Sequence, residues 1–66
     1  MKAQVNGVDR ELADDATVAA VIDLLAIPTG GIAVALDDAV VPRSEWGTTY
    51  VPDGGRVEIL TATQGG

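Results

Sequence analysis

The stretch Thr17-Val18-Ala19-Ala20-Val21-Ile22-Asp23-Leu24-Leu25-Ala26-Ile27-Pro28 decides the fold. Val18, Val21, Ile22 and Leu25 fall at i, i+3, i+4 and i+7, one helical stripe, while Ala19, Ala20 and Asp23 lie off it. Thr17, Asp14 and Asp15 are candidate N-caps, and the two acids would also complement a helix N-terminus. Pro28 stops the helix and Thr29-Gly30-Gly31 forms its exit loop. At about two to three turns the helix depends on packing rather than on propensity. One short amphipathic helix can cover one face of one sheet.

The flanking sequence supplies that sheet. Upstream, Met1, Ala3 and Val5 alternate with Lys2 and Gln4, Asn6-Gly7 has the signature of a type I′ turn, and Val8, Arg10 and Leu12 return on a second strand. Downstream, Ile32, Val34 and Leu36 point one way from a third strand, with Ala33 and Ala35 on its other face. Asp37-Asp38 turns the chain, and Ala39-Val40-Val41 is a short fourth strand before Pro42. Ser44-Glu45-Trp46-Gly47 reads as a tight turn capped by Ser44, and Pro52-Asp53-Gly54-Gly55 as the next loop. A last strand, Arg56 to Ala62, alternates Val57, Ile59 and Thr61 with Glu58, Leu60 and Ala62. This order gives an α+β domain of two layers, a mixed sheet of about five strands packed on one helix. The arrangement is that of the β-grasp, or ubiquitin-like, fold, although strand order along the chain is compatible with other sheet orders. Residues 1–62 form the domain, and Thr63-Gln64-Gly65-Gly66 a flexible tail.

Composition narrows the function. Sixty-six residues hold one domain at most. The absence of Cys and His excludes a disulfide framework, thiolate chemistry, zinc-finger spacing and any Ser-His-Asp or Cys-His constellation. Ten acids against four bases, a formal charge of −6, argue against nucleic acid and anionic membranes. A hydrophobic fraction of 47% is too high for a disordered acidic tail. No apolar run spans a bilayer and no signal core follows the N-terminus, so a cytoplasmic domain, monomeric when free, is expected. Gly30-Gly31 lacks the Lys-Ser/Thr of a phosphate loop. Asp14-Asp15 and Asp37-Asp38 lack calcium-loop spacing and read as solvated turns, so no metal is expected. Trp46 reads as a plug over one end of the core, and Arg43 as a surface partner of Glu45.

The tail has a chemical use. A terminal carboxylate is an acyl group that a partner can activate on a chain without Cys, and glycine lets it lie extended in a narrow channel. Thr63 to Gly66 reach at most about 13–14 Å, enough to enter a partner's pocket. Alternation in the last strand also turns Leu60 and Ala62 outward, and with Ala33 and Ala35 they make a low apolar surface for partner docking.

Over essentially the whole chain the sequence resembles the ThiS family, the sulfur carriers of thiamine thiazole biosynthesis. The resemblance is carried by Asn6-Gly7, Thr17-Val18, Ala33-Val34-Ala35-Leu36, Val41-Pro42-Arg43-Ser44-Glu45-Trp46, Asp53-Gly54, Val57-Glu58-Ile59 and Gln64-Gly65-Gly66. Two positions depart from the family pattern: Asp37, where Asn is common, and Gly55, where Asp is common. The resemblance implies a co-substrate rather than an enzyme, with no bound cofactor. An adenylating (E1-like) enzyme uses ATP to activate the Gly66 carboxylate while Thr63, Gln64 and Gly65 lie in its pocket. A cysteine desulfurase or rhodanese-type donor supplies sulfur for a thiocarboxylate, and thiazole synthase consumes it. The alternatives are a carrier of this fold for molybdopterin or cysteine synthesis, a ubiquitin-like modifier of lysines, and a structural module.

Overall fold

The computed structural model describes residues 1–61. The elements run β1 (Lys2–Val5), β2 (Val8–Glu11), α1 (Val18–Leu25), β3 (Ile32–Leu36), β4 (Ala39–Val41), a single 3₁₀ turn (Arg43–Glu45) and β5 (Arg56–Thr61). The sheet order is β2-β1-β5-β3-β4. Both hairpins are antiparallel, β5 is antiparallel to β3, and β5 runs parallel to β1 with Val5 beside Val57. The mixed five-stranded sheet with one helix is a β-grasp, as the order of elements led us to expect.

The helical stripe packs as its spacing requires. Val18, Val21 and Ile22 are buried and Leu25 packs against them. Val18 and Val21 meet Val34 of β3 and Val57 of β5 in the centre of the core, all four almost fully buried. Burying one such side chain contributes about 1.5–3 kcal/mol. Thr17 is the N-cap, its Oγ1 accepting from Ala20 N at 3.2 Å. Two further N–H groups of the first turn, those of Val18 and Ala19, donate to Thr49 O and Trp46 O. The segment after the 3₁₀ turn thus finishes the helix start, leaving Asp14 and Asp15 outside the first turn, which contains no acid. Asp14 instead meets the Met1 ammonium at 3.1 Å. The helix also stops earlier than Pro28 requires, because Ala26 enters the left-handed region at φ 55°.

Trp46 closes one end of the core, 7% exposed, and its Nε1 donates to Val41 O at 2.9 Å. Ser44 is not the cap of this turn. Pro42 occupies the cap position, and Ser44 lies within the 3₁₀ turn. Nor does Arg43 pair with Glu45: its guanidinium lies 5.4 Å from the Trp46 ring centroid and donates to Thr29 O at 2.9 Å. That contact ties the exit loop of the helix to the plug. On β2 all four residues are exposed, because α1 does not reach over the sheet's edge; Leu12, just beyond it, is buried.

Candidate functional site

The region of interest is β5, the strand that leads into the glycine tail. It occupies the middle of the sheet, so both of its sides are held. Its start is fixed from the β3–β4 turn: Arg56 N donates to Asp37 Oδ1 at 2.9 Å and Asp37 N to Arg56 O at 2.8 Å. The Arg56 guanidinium adds an ion pair to Asp38 at 2.6 Å. Both aspartates have positive φ, 50° and 72°, as a two-residue hairpin turn of this hand demands. Asp37 therefore keeps what an asparagine offers there, tolerance of the left-handed region and a side-chain acceptor. The second departure, Gly55, has a packing reason: a Cβ there would lie 3.0 Å from Pro52 O and 3.1 Å from its ring.

Farther along, β1 ends and a side chain takes over its role. Asn6 N donates to Val57 O at 2.9 Å, and Asn6 Oδ1 accepts from Ile59 N at 2.8 Å. The Asn6-Gly7 turn, with φ of 52° and 81°, thus extends the support of β5 beyond the last residue of its parallel neighbour.

On the face away from the helix, the register sets Leu60 against Ala33 and Glu58 against Ala35. Leu60 is 62% exposed, Ala33 is exposed and Ala35 is half-buried. Three of the four residues expected on a docking surface are therefore neighbours on one face. Ala62, the fourth, lies outside the described residues, as do Thr63, Gln64, Gly65 and Gly66. The structure adds Val40, which pairs with Ala35 and is 76% exposed. Its place was readable: a two-residue turn at Asp37-Asp38 sets Leu36 opposite Ala39, so Val40 falls opposite the outward Ala35. Toward the other end the same face turns polar. There Lys2, Gln4, Asp9, Asp53 and Arg56 line an open hollow of about 370 Å³.

A central last strand parallel to the first, held by two hairpin turns and backed by one helix, defines a ubiquitin-like β-grasp protein. The ThiS family model matches residues 3–66, so the chain belongs to the ThiS family. Four solved chains match. One is a thiamine biosynthesis protein (ThiS) from Geobacter metallireducens, 29% identical, with each chain covered in full and a TM-score of 0.85. Comparison with curated proteins finds no match. Among the described residues, no helix is long and apolar enough to cross a membrane.

Proposed function

We propose that this chain is a sulfur carrier of thiamine biosynthesis, a co-substrate whose reacting group is the Gly66 carboxylate. The observation that carries the reading is a family match running through Gly65-Gly66, directly beyond a β5 held on both sides. A free carboxylate is a poor electrophile, since its charge is delocalised and its leaving group would be oxide. Attack of the Gly66 carboxylate on the α-phosphorus of ATP in an adenylating enzyme forms the acyl-adenylate and releases pyrophosphate. The terminal sulfur of a donor's persulfide, on a cysteine desulfurase or rhodanese-type protein, then attacks the acyl carbon and AMP departs. A donor thiol cleaves the new S–S bond, leaving a thiocarboxylate on Gly66 and a disulfide on the donor. Thiazole synthase takes the sulfur and the carboxylate returns.

The body of the domain supplies recognition. Leu60, Ala33, Ala35 and Val40 form the docking surface, while Thr63, Gln64 and Gly65 enter the partner's pocket. Reaction with ATP, the adenylating enzyme and a sulfur donor should add the mass of sulfur in place of one oxygen, located on Gly66 by fragmentation. Deleting Gly66, or adding a residue after it, should abolish that gain and leave the melting temperature unchanged. Gly65→Val should slow it, because a β-branched side chain thickens the tail and stiffens it. Sulfur on a chain lacking Gly65-Gly66 would end the carrier reading.

A further inference from the structure

A second binding site lies at the opposite edge of the sheet, on β2. Met1 and Leu12 exchange hydrogen bonds, Leu12 N to Met1 O at 2.7 Å and Met1 N to Leu12 O at 2.8 Å. Ladder bonds alternate along an antiparallel pair, so Ala3–Arg10 and Val5–Val8 are the next bonded pairs. Asp9 and Glu11 consequently turn their N–H and C=O groups away from β1, to the free edge. The β1 residues opposite them turn the other way: Gln4 N donates to Gly55 O and Gly54 N donates to Lys2 O.

Beside this edge runs a groove of about 280 Å³ between α1 and the segment after β2. Its apolar lining comes from Leu12, Ala16, Ala20, Val21 and Leu24, and Leu24 is 58% exposed. Glu11 and Asp15 border it. Asp9 and Asp14 stand nearby in sequence, so four carboxylates stand against two cations, Arg10 and the Met1 ammonium that Glu11 and Asp14 each meet at 3.1 Å, and an acidic excess of two remains.

We propose that β2 and this groove bind a cationic extended segment of a partner protein, which adds as a sixth strand and sets an apolar side chain against Leu24. Open backbone groups supply affinity, the groove selects alternate side chains, and the acidic border selects charge. A second copy of this chain does not fit. Antiparallel pairing of two β2 strands would set Asp9 and Glu11 against the same acids, and like charges directly opposite are destabilising. The site is also remote from Thr61, the last described residue of β5. Thr61 lies four residues beyond the Val5–Val57 level and Glu11 three residues before it. At ~3.3 Å per residue the two are roughly 23 Å apart along the strands. Both ends of the domain are therefore open to different partners at once.

The probe is an acetylated, amidated octapeptide alternating lysine with valine and leucine, titrated into the full chain. Amide exchange at Asp9 and Glu11 should slow by at least about tenfold at saturation. Amide shifts should move at Ala20 and Leu24. Leu24→Lys, at an exposed position, should leave the melting temperature unchanged and weaken binding about tenfold or more. A chain without Gly66 should bind the peptide as well as the parent, which separates this site from the carrier reading. No binding, shifts spread over all the acidic residues without slowed exchange at Asp9 and Glu11, or unaltered affinity of Leu24→Lys would overturn the proposal. In those cases the acids of β2 serve only to keep a bare edge from pairing.

Discussion

Asn6 offers a test of how β5 is supported, because its backbone and its side chain do separable work. Asn6→Ala removes the acceptor for Ile59 N, a bond of 2.8 Å, and puts a non-glycine, non-Asx residue at φ 52°. A hydrogen bond lost in a folded protein costs about 1 kcal/mol, and a left-handed alanine about 1 kcal/mol more. The sum is about 2 kcal/mol. Asn6→Gly loses the same acceptor but accepts the positive φ, so it should cost about 1 kcal/mol. Asn6→Asp keeps both an acceptor and tolerance of that conformation, and should lie close to the parent. In a domain this small, 1 kcal/mol corresponds to about 4–8 °C in melting temperature. Thermal unfolding followed by circular dichroism should therefore rank Ala lowest, Gly between, and Asp near the parent. Exchange of the Ile59 amide should quicken in Ala and Gly but not in Asp. Equal melting temperatures for Gly and Ala would refute the division of labour. An Ile59 amide unaffected by either would refute the bond itself as the support of β5.

Leu60→Asp and Val40→Asp, at positions 62% and 76% exposed, should leave the melting temperature nearly intact and weaken binding to the adenylating enzyme. Calorimetric titration measures the second effect, and a large loss of stability would assign either residue to the core. Trp46→Phe should fill most of the space but lose the hydrogen bond to Val41 O, which keeps its ladder partner Val34, at a cost of about 0.5–1.5 kcal/mol read by denaturant unfolding. Hydrogen bonds from the Met1 ammonium to Asp14 and then Glu11 raise its pKa above the usual 8.0. The folded pKa lies above the unfolded one, so this contribution is complete below about pH 8 and is lost as pH rises through the folded value. Melting temperature should fall across that range, and N-terminal acetylation should remove this part of the fall.

Much of the fold is legible in side-chain periodicity, because burial on one face imposes it. Val18, Val21 and Ile22 could be placed from spacing, as could the outward turn of Leu60 and Ala33. Periodicity fails where a residue's partner is far along the chain. Thr17 prevails over Asp14 and Asp15 as cap because residues 46–49 complete the first turn, and nothing local announces that. Asp14 is drawn off by the Met1 ammonium. Val8 looks like half of an apolar face, yet it stands 54% exposed because no second layer covers the edge strand. Val40 was missed for a different reason. Its neighbour Val41 is buried, and only the register fixed at Asp37-Asp38 says which of the two points outward. Of the docking surface, then, alternation along single strands revealed most, and pairing between strands revealed the rest.

The central position of β5 bears on how the protein is made. Without β5 the sheet is two unconnected hairpins, β1–β2 and β3–β4. A lone two-stranded hairpin is marginal in water. Gln4 has to wait for Arg56, and Val5 for Val57, before the parallel pair exists. A ribosome therefore completes nearly the whole domain before the sheet closes, and a nascent chain halted short of β5 remains without it. Such a fragment has neither the assembled outer face nor the tail. On the function proposed above, the recognition surface and the reacting carboxylate therefore become available together, and an interrupted product would carry neither.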